Sequence, residues 1–243
     1  RMYLPLAALI GLTLCPLYIL CARRKFYLQL ATGLTLCASL ALGFATVERN
    51  RAYHTPVSIW STAVAAVPDN PRAHVNLAVE LVAAGDLDQA QVHYMQALEL
   101  APRHANAHNN LAIVLTRRGD FDTAIEHYLL AIEFKAGFFG AHNNLGIAFA
   151  RQQRWNEAID HYQRALHFKP NYAKAHNNLG IVLEMKGERY KAIEHYHRAI
   201  AIAPNDFYAH YNLGLAQLSL NDNAQAFEQF RQALAIDPNS AEA

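Results

Sequence analysis

From Pro71 to Ser240 the chain repeats itself five times with a period of 34 residues and no insertion or deletion. Few features constrain a fold more, because a regular period of this length means one supersecondary unit stacked on copies of itself. A proline or its equivalent ends each unit, at Pro68, Pro102, Ala136, Pro170, Pro204 and Pro238. Inside each unit run a Leu column (Leu77, Leu111, Leu145, Leu179, Leu213) and, next to it, a small-residue column (Ala78, Ala112, Gly146, Gly180, Gly214). Further on, Ala90, Ala124, Ala158, Ala192 and Ala226 precede an aromatic (Tyr94, Tyr128, Tyr162, Tyr196, Phe230), then Ala97, Ala131, Ala165, Ala199 and Ala233.

The Ala–aromatic–Ala spacing of four and then three puts all three on one face of a helix, helix B. The Leu and its small neighbour lie about a dozen residues earlier, on a helix A whose small residue admits a close neighbour. Gly85, Gly119 and Gly187 stand at the turn between them, where positive φ comes at low cost; Gln153 and Asn221 replace glycine in the other two units. A single pair leaves an apolar face bare until the next stacks on it.

These columns resemble the tetratricopeptide repeat (TPR). The resemblance implies an all-α, right-handed superhelical solenoid of helix-turn-helix repeats over 71–104, 105–138, 139–172, 173–206 and 207–240, with 241–243 opening a further helix. The usual first aromatic of helix A is replaced by His74, His108, His142, His176 and His210, and one proline by Ala136.

Hydrophobicity concentrates ahead of the repeats. Residues 2–22 and 26–47 carry no formal charge, and each stretch of about 21 residues reaches the roughly 30 Å of a bilayer core. Two transmembrane helices are therefore expected, joined by the basic loop 23–25, with residues 2–47 in lipid. Arg23, Arg24 and Lys25 would stay in the cytoplasm by the positive-inside rule, leaving the repeats periplasmic or luminal, at an inner membrane or the endoplasmic reticulum. Cys15, Cys21 and Cys37 all fall in these spans, so the repeats hold no disulfide, thiol nucleophile or cysteine metal site. Only four of the 21 Lys and Arg, and none of the 20 Asp and Glu, precede Glu48; the near-neutral remainder gives no ground for nucleic acid. Position 1 is Arg and not Met, and more protein is expected on one or both sides.

The junction 48–70 contains Trp60 and Ala63 on two of the helix B columns, so Pro56 to Val67 reads as a lone helix B capping the first repeat. The passage through Pro68, Asn70, Arg72, Ala73, His74, Asn76 and Leu77 resembles that of the transmembrane-and-TPR proteins, whose polytopic membrane domain is a GT-C type glycosyltransferase. That resemblance implies an acceptor-binding C-terminal region of such an enzyme; the family's catalytic carboxylates have no counterpart in this sequence.

One column carries the functional expectation: Asn76, Asn110, Asn144, Asn178 and Asn212, with Asn109, Asn143 and Asn177 one place earlier. Asparagine is a mediocre helix former, so propensity does not explain it. In tetratricopeptide repeats this face lines the concave groove, and the column resembles the asparagine ladder of O-GlcNAc transferase. A carboxamide both donates and accepts, and so suits the main chain of an extended peptide; equally, it suits bonds across adjacent A helices. The amides are expected to be largely wet. Val79, Ile113, Ile147, Ile181 and Leu215 run beside them. The carboxylate clamp of chaperone-binding repeats is absent, since its Lys and Asn places hold Val75 and Val79, Asn109 and Ile113, and their equivalents. Phe138 and Phe139, in a segment that loses its proline, join Tyr172, Phe207, Tyr208 and Tyr211 either as repeat packing or as an aromatic rim for a partner.

The chain has 13 histidines. Nine fall in two columns whose members are a repeat apart, too far to share an ion, so no metal or cofactor is expected. No phosphate loop or catalytic triad order is present. The expectation is a membrane-anchored scaffold for a protein, an extended peptide or a membrane complex, without catalysis in this chain.

Overall fold

The computed structural model describes residues 25–51 and 55–240. Among them all regular structure is helical: α1 (Lys25–Arg51), α2 (Pro56–Ala66), α3 (Pro71–Ala83), α4 (Leu87–Leu100), α5 (Ala105–Arg118), α6 (Phe121–Phe134), α7 (Phe139–Arg151), α8 (Trp155–Phe168), α9 (Ala173–Met185), α10 (Arg189–Ile202), α11 (Phe207–Ser219) and α12 (Asn223–Ile236). Two compact units divide at Ala63 and Val64.

In the first unit, α1 is 27 residues long and runs past the expected end at Val47. Its segment Gln29–Val47 is the one stretch among the described residues long and apolar enough to cross a membrane. Leu30, Leu34, Leu36, Leu40 and Phe44 are all more than half exposed there. The other expected span, 2–22, and the loop 23–24 lie outside the described residues. Helix α2 forms across the unit division, and none of its residues is buried.

The second unit is a stack of helix pairs. The odd-numbered helices α3 to α11 are the A helices and the even-numbered α4 to α12 the B helices; each A packs on its own B and on the next A. Asn70, Asp86, Asp120, Asp206 and Asp222 cap their helices with side-chain oxygens, satisfying backbone N–H groups in the first turn.

The core is the set of columns. Tyr94, Tyr128, Tyr162 and Tyr196 are at most 2% exposed, and the alanines flanking them are fully buried. Gly146 faces its tyrosine so closely that an added Cβ would lie 2.6 Å from Tyr162 Cε1. In the first two repeats Ala78 and Ala112 occupy this column, so the ring has room to shift for one methyl group.

All five A–B turns share one device. The N–H of the residue after the turn reaches back five places to a helix A carbonyl, as in Asp86 to Leu81 (2.9 Å) and Asp120 to Leu115 (3.0 Å). Gly85, Gly119 and Gly187 take φ near +80 to +87°, and Gln153 and Asn221 take the same region at +59 and +62°. The absence of glycine in two units therefore changes the local strain and leaves the turn intact, because Arg154 to Phe149 and Asp222 to Gln217 close it at 2.9 and 3.0 Å.

Candidate functional site

Asn76, Asn110, Asn144, Asn178 and Asn212 lie one place before the buried Leu column on successive A helices, and all are half-buried. The residues one place earlier differ: Asn109, Asn143 and Asn177 are 7%, 3% and 9% exposed and sit between helices. Their side chains sit deeper than those of the first set, and Asn143 and Asn177 still line the concave hollow described below.

Their amides connect the repeats. Asn144 Nδ2 donates to Asn109 Oδ1 (3.2 Å), Asn178 Nδ2 to Asn143 Oδ1 (3.0 Å), and Asn212 Nδ2 to Asn177 Oδ1 (3.0 Å). Within a helix Asn109 Nδ2 donates to Asn110 Oδ1 (3.1 Å) and Asn143 Nδ2 to Asn144 Oδ1 (3.4 Å). The expectation of freely wet amides is thus corrected: each outer asparagine of repeats 3 to 5 is tied to a buried one in the repeat before. The reason is the close approach of neighbouring A helices, which brings position n of one beside position n−35 of the other. The ladder stops where its buried member changes, at Val75 in repeat 1 and Tyr211 in repeat 5.

A carboxamide has two N–H groups and two acceptor sites, and the inter-repeat bond uses one N–H. The remaining capacity borders a concave hollow of about 630 Å³ on repeats 3 to 5. Asn144, Asn178 and Asn212, with Asn143 and Asn177 deeper, supply amides to it, Ile147 and Ile181 a hydrocarbon strip, and Tyr172, Tyr208 and Tyr211 aromatic edges, with Lys174 and Asp206 as its charges. Val79, Ile113 and Leu215, the rest of the apolar row, are not among its lining residues, nor are Asn76 and Asn110. Val79 is 41% and Leu215 38% exposed, so the row stays open at both ends.

The six aromatics separate. Phe139 meets Tyr172 edge-on at 5.3 Å with Lys169 over both rings, and Lys135 sits 4.5 Å above Phe138. Phe207 stacks on Tyr211 at 5.9 Å and meets Tyr208 edge-on. Tyr172, Tyr208 and Tyr211 reach the hollow, whereas Phe138, Phe139 and Phe207 are not among its lining residues.

The histidine columns do what neither shows alone. Helix A and helix B histidines 19 residues apart pair through their Nδ1 atoms: His74 with His93 (3.1 Å), His108 with His127 (2.9 Å), His142 with His161 (3.1 Å) and His176 with His195 (3.0 Å). The constant offset of 19 between the columns was the available signal, and column-by-column reading passes over it. Among the described residues no group of three or more His, Cys, Asp or Glu is placed to hold a metal ion. Burial, and then the partner histidine, pushes His161 down to about 4.

Models of the TPR repeat match residues 148–187, and models of the tetratricopeptide repeat match 75–137 and 171–239. Among solved structures, MamA superposes with a TM-score of 0.60 at 28% identity, over 69% of this chain and 98% of that one. A thermophilic TPR protein of Thermus thermophilus gives 0.60 at 25%, over 70% and 93%. YrrB, described as a TPR protein with an unusual peptide-binding site, shares the fold at 21% identity, with a TM-score of 0.58 over 75% and 94%. No curated protein matches the sequence. The stack of helix pairs, its columns and these matches together make this chain a tetratricopeptide-repeat protein over the part that follows the junction.

Proposed function

We propose that the array is a non-catalytic scaffold that holds an extended segment of a partner protein along the concave face of repeats 3 to 5. The hollow over Asn144, Asn178 and Asn212 carries this reading, because it sets hydrogen-bonding amides beside the apolar strip of Ile147 and Ile181. Stacked helices lie roughly 10 Å apart and an extended chain advances about 3.3 Å per residue, so successive asparagines meet every third ligand residue. Their amides address the ligand main chain, and the isoleucines and tyrosines its side chains. YrrB, with its peptide-binding site, is a precedent for the fold in such a role.

The experiment is selection of extended peptides from a displayed random library on the full-length chain, followed by affinity measurement on the variant Ile147→Asp/Ile181→Asp. Both side chains are half-buried. A carboxylate there is expected to weaken selected peptides by roughly tenfold or more, since desolvating an unpaired charge costs at least about 1–2 kcal/mol, with a small change in melting. Peptides that bind the variant as well as the parent would remove the groove from the reading.

Helix α1 adds a membrane tether in this reading, on the strength of the exposed apolar stretch Gln29–Val47. The basic residues Arg23, Arg24 and Lys25 favour a cytoplasmic start and an extracytoplasmic array. In intact cells, a chain with its three cysteines replaced and Asn205→Cys introduced is expected to react with a membrane-impermeant thiol reagent. Labelling only after lysis would reverse the orientation, and recovery of the chain in an alkaline wash of the membranes would remove the tether.

A further inference from the structure

The histidine pairs have a defined proton arrangement. His74, His108, His176 and His210 each place Nε2 2.8 to 3.1 Å from the carbonyl oxygen six residues earlier, at Pro68, Pro102, Pro170 and Pro204, and His142 has the backbone of Ala136, also six residues earlier, as its partner. A carbonyl only accepts, so Nε2 carries the hydrogen and Nδ1 of the neutral ring is a bare acceptor. The helix B histidine must then donate from its own Nδ1. In repeat 1 that hydrogen is shared, since His93 Nδ1 also lies 2.9 Å from Gln96 Oε1, which accepts as well. Only repeat 5 differs: His210 meets the carboxamide of Gln229 at 2.8 Å.

One added proton is shared by such a pair as imidazolium and imidazole. A second leaves two positively charged rings with N–H groups facing each other at about 3 Å, between the helices that make up a repeat. Repeats 3 and 4 are where both members resist protonation. Burial lowers His142, His161, His176 and His195 alike, and the partner ring lowers His161 and His195 further.

The surrounding charges do not cancel this. At His142 and His161, Asp160 opposes and Arg164 reinforces the lowering. Arg198 reinforces it at both His176 and His195 and Glu194 opposes it at His195, while Lys186, Glu188 and Lys191 border the same notch as His195. From the preceding B helices, Glu99 of α4 lies beside His108 and His127. The same register puts Glu133 of α6 toward the third pair and His167 of α8 toward the fourth.

We propose that the histidine pairs of repeats 3 and 4 form a proton-sensitive spine, through which acidification separates helix A from helix B and loosens the part of the array that frames the concave hollow. The sign follows from where protons bind. The unfolded rings titrate near 6.5 and the folded ones below it, so the pairs' contribution is complete above about 6.5 and declines as pH falls below that, down to about 4 at His161, the unfolded chain binding more protons throughout the decline. Release of a bound segment in acid would follow if the groove reading holds; the loosening itself does not depend on it.

The test is amide hydrogen exchange of the full-length chain at pH 7.5 and 5.0, corrected for intrinsic rates, resolved by helix. Protection in α7 to α10 is expected to fall about tenfold or more on acidification, one pKa unit of displacement being a factor of ten. His161→Gln/His195→Gln copies the pairing that repeat 5 already uses, and should keep protection at pH 7.5 while removing most of the acid loss. An acid loss as large as the parent's would overturn the proposal. The converse variant, Gln229→His, creates a fifth pair and should make α11 and α12 acid-sensitive. Unchanged exchange in α11 and α12 would overturn it too, including when the double variant fails to fold. Loss of selected-peptide binding to the groove variants, without loss of acid sensitivity, would separate this proposal from the groove reading.

Discussion

Tyr162→Ala is expected to lower stability by about 3–5 kcal/mol, the cost of emptying a fully buried aromatic site that its surroundings cannot refill. Tyr162 is 2% exposed and stands against Gly146 on helix A and between Ala158 and Ala165 on its own helix. None of these neighbours has a side chain long enough to collapse into the space. The effect should also spread unevenly, since stability in a stacked array is a sum of repeat and nearest-neighbour contributions. Repeat 3 is the middle one, so its loss uncouples two repeats on either side. A urea titration followed by helical circular dichroism is expected to change from one transition to a broader or two-step profile with an earlier midpoint. A midpoint unchanged within error would mean that the tyrosine column is not the seam of the stack. Gly146→Ala should be far milder, because repeats 1 and 2 already hold alanine opposite their tyrosines.

Asn143→Leu is expected to cost about 1–3 kcal/mol, although leucine is the better helix former. Asn143 is 3% exposed, accepts from Asn178 Nδ2 and donates to Asn144 Oδ1. Removing it takes a bond from each of two neighbours in a region with little water, and leucine's branched end must also fit the space of a flat amide. Asn76→Ala is the matched control. It occupies the same column as Asn110 and Asn144, but no side-chain bond to a preceding repeat is made there, and its replacement should stay within about 0.5 kcal/mol of the parent. Thermal melts of the two variants side by side distinguish a ladder that braces the solenoid from one that only waits for ligand. Equal melting temperatures would favour the second.

These two outcomes bear on how the groove works. The outer asparagines are held by the buried ones, so their orientation is set before a ligand arrives. Pre-set groups lose less freedom on binding than swinging ones, which favours affinity without a large contact area. The bracing and the binding are compatible for that reason.

Periodicity alone determined the helices, the seam of tyrosine and alanine, and the position of the turns. A face repeated at helical spacing has only one way to be buried, and a 34-residue copy can cover it only with its neighbour. Residues 2–22 and 26–47 declared their apolar character in the same way, through length and the lack of charge. What tertiary structure alone decided is how side chains from different columns meet. The relative rotation of helix A and helix B is set by the turn, including the left-handed residues Gln153 and Asn221 that stand where glycine was the natural choice. That rotation brings His142 to His161, and the approach of successive A helices brings Asn178 to Asn143. A column shows which face a residue shares with its copies and says nothing of the angle at which it meets another column. The division of the asparagines into a buried row and a groove row, and the pairing of the histidines, are therefore properties of packing.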